Sequence, residues 1–180
     1  METLLVIIGL ILLVVLVLAY FYSRLRGKRT DCREVELQVR KILERRHSLV
    51  TNLVDIIKSC GAQNNRIVQN VISTLNVSIR ATGGLQITEA ENALAKALDE
   101  LFGFSRTFPR LQVNQNYAQL VEEIRDVEEN FARASIRYND LASAYNRELQ
   151  KFPCNVVSRI FRMRPEDPMR LNRIVSLLNT

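Results

Sequence analysis

Residues Leu4 to Tyr22 read LLVIIGLILLVVLVLAYFY, a run of 19 residues without a charged side chain. A helix needs about 20 predominantly apolar residues to cross a hydrocarbon core about 30 Å thick. The run therefore predicts a transmembrane helix over residues 4–22. The 180-residue chain then leaves about 158 residues outside the membrane, which is room for one domain.

The residues that flank this run favour an uncleaved anchor over a signal peptide. A signal peptide has basic residues before its apolar stretch and small residues at its cleavage site. Here Glu2 is the one charged side chain before the run, and a basic juxtamembrane segment, residues 23–34, follows it. Its basic side chains include Arg24, Arg26, Lys28 and Arg29. Because such residues stay on the cytoplasmic side, we expect the N-terminus outside and the folded part in the cytoplasm.

Basic charge is concentrated near the two ends of the chain. The net charge is +6 and the pI is about 9.5, values that also occur in nucleic-acid-binding proteins. Residues 47–150, however, hold 10 basic against 12 acidic side chains, so the excess lies in residues 23–46 and 151–180. Beside an anionic leaflet each basic residue contributes about 1 kcal/mol. We therefore expect a lipid bilayer rather than nucleic acid as the charged partner, with a nucleic-acid binder as the least favoured alternative.

Beyond the anchor, apolar residues recur at three- and four-residue spacing, which predicts amphipathic helices. We predict four helices, over about residues 32–60, 64–81, 88–104 and 114–152. Short loops make sequential helices antiparallel. The predicted fold is therefore all-α: an N-terminal transmembrane helix followed by an antiparallel four-helix bundle, residues 35–153, with two long outer helices and a short helical hairpin.

Several predicted helix ends have a sequence signal. Gly61 is expected to form a left-handed C-terminal cap of the first helix. Thr88 and Glu91 have the spacing of a capping box at the start of the third helix. Asn114 or Asn116 is the expected N-cap of the fourth helix.

The tail, residues 154–180, is basic and amphipathic. Arg159 and Arg162 alternate with apolar residues, and Asp167 is the expected N-cap of a further short helix. A basic amphipathic helix lies readily in a membrane interface, so Arg159 and Arg162 join the basic juxtamembrane side chains as predicted membrane-surface contacts. Docking on the bundle or on a partner, or a disordered end, remain as alternatives.

No pattern typical of catalysis or metal binding emerges from the sequence. The chain has one histidine, and Glu44-x-x-His47 is half of the pair of motifs that a di-iron bundle uses. The three cysteines have no CxxC spacing, and no nucleophile elbow or phosphate-binding glycine pattern is present. The acidic residues of the fourth helix are interpreted as a solvated face: Glu122, Glu123, Asp126, Glu128 and Glu129. We expect no catalytic residue, metal or cofactor.

Three segments carry a family resemblance. Residues 45–54 read RRHSLVTNLV, residues 108–120 read FPRLQVNQNYAQL, and residues 132–140 read ARASIRYND. Together they resemble the LemA family of bacterial membrane proteins over about residues 35–165. The chain departs from the family pattern at Thr51, which replaces its usual Pro, at Ser48, which replaces its usual acid, and at 159–161, where Gly-Phe is usual.

The resemblance implies an N-terminal anchor in the bacterial cytoplasmic (inner) membrane and a cytosolic antiparallel four-helix domain. No biochemical activity is established for the family, so it implies no catalytic residue. The polar and aromatic residues on or beside its motifs are interpreted as packing with a hydrogen-bonding border, or alternatively as an interaction site: Asn52, Asn114, Tyr117, Glu128, Tyr138, Asn139, Tyr145 and Asn146.

Two functions from different classes follow. The favoured one is a single-pass, membrane-anchored helical scaffold or interaction protein at the cytoplasmic face, with an unidentified protein partner and no enzymatic activity. The alternative is a membrane-tethered ligand-binding or enzymatic domain that uses a polar cleft between the first and fourth helices, near Asn52, Asn139 and Asn146. A homo-oligomer, formed through coiled-coil-like contacts of the fourth helix, is open in both cases.

Overall fold

In the computed structural model, which describes residues 1–62, 65–82 and 84–169, every regular element is helical. The elements, in chain order, are α1 (Glu2–Ile57), a π-helical turn (Lys58–Ala62), α2 (Arg66–Arg80), α3 (Gly84–Ser105), α4 (Pro109–Gln112), α5 (Gln115–Gln150) and α6 (Cys154–Ile160).

The first helix is longer than the sequence predicts. We expected it to begin at Cys32, but the apolar run, the basic segment and the predicted first helix form one helix, α1. The reason is local: residues 23–34 contain no proline and are rich in Arg and Lys, which are good helix formers. Leu25 and Cys32 are also buried, so tertiary packing supports the helix through this segment.

The beginning of α1 is long and apolar enough to cross a membrane. Its most apolar 18-residue window has a mean hydropathy of 3.3, and none of that window is buried. An exposed apolar surface of this size is costly in water. The helix is therefore compatible with a single-pass membrane anchor.

The ends of the other helices test the predicted caps. Gly61 has a φ of 101°, so the left-handed conformation expected after the first helix is confirmed. Asn114 is the N-cap of α5, since its Oδ1 accepts a hydrogen bond from the backbone N–H of Tyr117 at 3.1 Å. The first and last residues of α2 and α5 agree with those of the predicted helices to within about two residues.

The predicted capping box of the third helix is wrong. The helix α3 begins at Gly84, four residues before Thr88, whose hydroxyl donates to the Gly84 carbonyl at 2.8 Å. Glu91 lies in the second turn with its side chain buried. Thr88 and Glu91 therefore both lie inside the helix rather than at its start, and the Glu91 side chain contacts other helices instead of capping this one.

The chain divides into two compact units. The anchor unit comprises residues 1–36 and 138–168, and the core unit comprises residues 37–137 with Met169 from the described tail. In the core unit α1, α2, α3 and α5 contribute to one apolar core. It includes Leu53 and Ile57 from α1, Val71 from α2, Leu98 and Leu101 from α3, and Ile124 from α5.

The anchor unit has a smaller core of its own. Its buried members are Leu25, Cys32, Tyr145, Leu149, Cys154 and Val157. The helix α6 therefore packs against the parts of α1 and α5 that belong to this unit. The helix predicted after Asp167 falls mostly outside the described residues, and Pro168 and Met169 are not helical.

Replacing Gly61 with alanine should lower the free energy of unfolding by about 1 kcal/mol, because an L side chain is disfavoured at that φ. Gly103 in α3 is the matched control, since a β-carbon there would meet open space. Gly103→Ala should raise the free energy of unfolding by about 0.5–1 kcal/mol. Urea unfolding of the full chain in detergent, followed by circular dichroism, measures both values. A Gly61→Ala variant as stable as the parent protein would contradict the left-handed helix end.

Candidate functional site

A buried arginine is the centre of the polar site in the core unit. Arg46 follows Leu43 by three residues and precedes Val50 by four, so it lies on the apolar face of α1. Only 1% of its surface is exposed. Arginine is almost never fully buried unless its charge is paired, so the surroundings of this side chain have to supply the counter-charge.

Two carboxylates from two other helices supply it. Arg46 Nη1 donates to Glu91 Oε2 of α3, and Arg46 Nε donates to Glu128 Oε1 of α5. The ring of Phe131 lies 5.7 Å from the guanidinium carbon of Arg46, within the range of a cation–π contact. The guanidinium therefore joins α1, α3 and α5.

His47 and Ser78 complete the arrangement. Ser78, in α2, donates its hydroxyl to Glu91 Oε1. His47 Nε2 lies 2.7 Å from the same carboxylate oxygen and 3.1 Å from the Ser78 hydroxyl. We call these five residues, Arg46, His47, Ser78, Glu91 and Glu128, the Arg46 cluster. Through it α1, α2, α3 and α5 are linked by polar contacts.

The pKa values of the two carboxyl groups of the cluster are shifted in opposite directions. Burial raises the pKa of Glu91, but the hydrogen bond from His47 and the charge of Arg46 outweigh it, so the pKa lies below the ordinary value of 4.5. For Glu128 burial is the stronger effect and raises its pKa, although Arg46 opposes it. Glu91 is therefore the better counter-ion of Arg46, and Glu128 is the carboxyl that is more readily protonated.

The geometry of the cluster is closed. Arg46 donates to one oxygen of each carboxylate, and the second oxygen of Glu91 accepts from Ser78 and contacts His47. Among the residues that the structure describes, no group of three His, Cys, Asp or Glu side chains is placed to hold a metal ion. Two surface grooves lie on α2 and α3, and neither is lined by a residue of the cluster. Because the side chains of Arg46 and Glu91 are each 1% exposed, the arrangement connects helices in the interior of the core unit.

Sequence reasoning missed most of this site. Arg46, Ser78 and Glu91 were not predicted as site residues, and the interpretation of Glu128 as part of a solvated acidic face is wrong, because only 13% of its side chain is exposed. The interpretation holds for Glu122 and Glu129, which form surface pairs with Arg125 and Arg133 at 3.1 and 3.3 Å. Glu44 is exposed and His47 is hydrogen-bonded.

A signal for the missed residues does exist in the sequence. Each charged member is flanked by apolar residues that are three and four positions away, so it replaces one member of an apolar stripe. The flanking pairs are Leu43 and Val50 for Arg46, Ile87 and Leu94 for Glu91, and Ile124 and Phe131 for Glu128, and all six are buried. One positive and two negative charges on the inner faces of three helices indicate a buried ionic group.

The predicted motif residues fall into two groups. In the core unit Asn52 is exposed, and the Tyr117 hydroxyl lies 2.6 Å from the Ser105 hydroxyl. In the anchor unit Tyr138 and Tyr145 are buried, and Asn139 is half-buried. Burial raises the pKa of both tyrosine hydroxyls.

Asn146 holds the chain that follows α6. Its Nδ2 donates to the backbone carbonyl of Glu166 at 2.8 Å, and the backbone N–H of Glu166 donates to its Oδ1 at 2.9 Å. Arg29 Nε also donates to the Glu166 carboxylate at 3.2 Å. We call these contacts the Glu166 clamp. Because the Asn146 side chain is engaged in the clamp, it is not a free member of the predicted polar cleft.

The basic residues predicted to contact the membrane surface are arranged differently from one another. Arg24 pairs with Glu148 at 3.7 Å, and Arg29 belongs to the Glu166 clamp. Lys28 is half-buried. The side chains of Arg26, Arg159 and Arg162 are exposed.

A comparison with protein families settles the resemblance. A sequence model of the LemA family matches residues 36–174, about three quarters of the chain. The chain belongs to the LemA family. The matched region contains the whole Arg46 cluster, so the buried ionic group lies within the LemA part of the chain. Comparison with curated proteins finds no significant match.

Arg46→Met should destabilise this LemA protein by about 3–5 kcal/mol, because it leaves two buried carboxyl groups without their cation. The neighbouring Arg45→Met is the control, since Arg45 has 66% of its side chain exposed and pairs with Glu123 at 3.6 Å. Loss of that surface pair should cost less than about 1 kcal/mol. Urea unfolding of both variants measures the difference.

A third variant keeps this test informative if Arg46→Met does not fold. Arg46→Met combined with Glu91→Leu and Glu128→Leu removes every charge of the ionic group, and an apolar replacement of this kind often restores stability. Equal losses in the Arg45 and Arg46 variants would contradict the role of the cluster.

The opposite pKa shifts predict opposite pH dependences. The stability contributed by Glu91 is present above about pH 4.5 and is lost as the pH falls through its lowered pKa. The contribution of Glu128 is complete below about pH 4.5 and is lost as the pH rises through its raised pKa. Glu91→Gln should therefore reduce the loss of stability as the pH falls below about 4.5. Glu128→Gln should reduce the loss of stability as the pH rises above about 4.5.

Measurement of the free energy of unfolding between about pH 3 and pH 7 separates the two effects, because each variant is the control for the other. Only the slope with pH matters, since both substitutions also change the absolute stability. Parallel profiles in the two variants would contradict the assignment.

Proposed function

We propose that this LemA protein is a single-pass scaffold or interaction protein of the bacterial cytoplasmic membrane, with its folded part at the cytoplasmic face. The observation that carries the proposal is the continuity of α1, which runs from the exposed apolar run into the cores of both units. Such a helix joins the anchor unit to the bilayer without a flexible linker. A fixed position beside the membrane is what a membrane scaffold requires.

The orientation and the helix arrangement belong to the same proposal. The basic residues that follow the apolar run favour a cytoplasmic folded part and an external N-terminus. The short connections between α2, α3 and α5 favour an antiparallel four-helix bundle. Both inferences are consistent with the family to which the chain belongs.

The Arg46 cluster supports an interaction role over an enzymatic one. Perturbed carboxyl groups are typical of active sites when they face a cleft. Glu91 and Glu128 face Arg46 instead, and neither described groove on α2 and α3 includes them. The alternative of a ligand-binding or enzymatic cleft is also weakened by Asn146, whose amide holds Glu166.

Site-specific photocrosslinking in the native membrane tests the proposal. A photoreactive amino acid is introduced into the full chain at exposed positions of the core unit, such as Val77, Leu85 and Asp126, and at the buried Leu98 as a control. We expect discrete adducts with one other protein at some exposed positions and none at Leu98. The adducts should disappear when crosslinking follows denaturation.

The outcomes distinguish the proposed roles. A recurring protein adduct from neighbouring exposed positions supports the interaction module and identifies the partner. If only lipid and second copies of the chain are recovered, the scaffold proposal fails, and self-association remains as the activity to pursue.

A further inference from the structure

We propose that α6, with its flanking residues, is a membrane-contact surface that lies in the headgroup region of the bilayer crossed by α1. In this arrangement Phe152, Val156, Ile160 and Phe161 face the lipid, and Arg159 and Arg162 bind phosphate groups. The inference rests on the proposed membrane anchor and adds a second, interfacial contact of the same unit with the same bilayer.

The first observation is that α6 has one buried face and one exposed apolar face. Cys154 and Val157 are buried in the small core of the anchor unit. Val156 and Ile160, four residues apart on α6, are 42% and 58% exposed, and Phe152, which precedes the helix, is 83% exposed. Residues four apart share a side of a helix, so α6 has one face committed to the protein and an apolar face without a cover.

The second observation is the place of α6 relative to the apolar run. The ring centroid of Phe161 lies 4.4 Å from that of Tyr22, the last residue of the run. Leu18 and Phe21, which lie within the run, pack against the same core as Val157. Tyrosine is enriched where membrane helices meet water. The apolar face of α6 is therefore at the level at which α1 leaves the hydrocarbon core.

The third observation is the charge beside this face. Arg159 lies within α6 and Arg162 lies two residues beyond its end, and both are exposed. Basic side chains next to an apolar helical face favour binding to anionic lipid headgroups. A lipid surface satisfies both the apolar and the basic part of this segment, whereas an apolar protein partner satisfies only one of them.

The Glu166 clamp holds the segment in position. It fixes the chain six residues beyond the end of α6 to Asn146 of α5 and Arg29 of α1. Pro153 precedes the helix at its other end. The face is thus positioned by the folded protein rather than formed on contact with lipid, which reduces the conformational entropy lost on binding.

Tryptophan fluorescence tests the inference, because the chain contains no tryptophan. Full-length Ile160→Trp is reconstituted into vesicles of phosphatidylcholine and phosphatidylglycerol whose acyl chains carry bromine near the headgroup. We expect quenched and blue-shifted emission. Ile79→Trp is the matched control, since Ile79 is 57% exposed on α2, and its emission should remain unquenched and characteristic of water.

A third reporter separates failure of this inference from failure of the anchor. Leu12→Trp lies in the middle of the apolar run and should be quenched most by bromine deep in the acyl chains. If Leu12→Trp is not quenched, both the anchor and the inference are overturned. If it is quenched while Ile160→Trp matches Ile79→Trp, the anchor stands and the contact of α6 is overturned.

The remaining outcomes concern other occupants of this face. Blue-shifted but unquenched emission from Ile160→Trp would mean that protein, such as a second copy, covers α6, and would overturn the inference. Adding Arg159→Gln and Arg162→Gln to Ile160→Trp should reduce quenching in the anionic vesicles. An unchanged signal would overturn the role of the two arginines.

Discussion

A guanidinium that is removed from water has to be neutralised and hydrogen-bonded where it lies, and the core unit is arranged around this requirement. Arg46 on α1 needs Glu91 on α3 and Glu128 on α5 at the same level, and Glu91 in turn accepts from Ser78 on α2. A shift of one helix by one residue would leave a buried charge without its partner, at a cost of several kcal/mol. The apolar residues provide most of the driving force for folding, but they tolerate many packings. The ionic group selects one of them.

The periodicity of apolar residues was sufficient to predict α2 and α5, and local signals predicted the left-handed Gly61 and the Asn114 cap. The failures have specific physical causes. The start of the first helix was misplaced because basic residues are good helix formers and no proline interrupts residues 23–34. The Thr88 capping box was misread because Glu91 gains more from a buried arginine than from a backbone N–H at a helix end.

The candidate site was less predictable than the fold. The charges of Arg46, Glu91 and Glu128 on apolar stripes are visible in the sequence, but periodicity does not say which charge meets which. The Glu166 clamp is harder still to predict. The partner of the Asn146 side chain is a backbone group 20 residues away, and a backbone contact leaves no pattern of residue types. Contacts made through the main chain are recognised only once the fold brings the two segments together.

The continuity of α1 has a consequence for how changes in the membrane-spanning part reach the folded part. Successive residues of a helix are turned by about 100° around its axis, so the helix keeps the angular phase of Tyr22 relative to Leu25 and Cys32. A single inserted residue between them would rotate the apolar run away from Phe161, whereas a flexible linker would absorb it. Seven inserted residues would restore the angle to within about 20° while displacing the run along the axis. The apolar run of α1 therefore has a defined rotation about the helix axis, relative to the rest of the anchor unit, as well as a defined position along that axis.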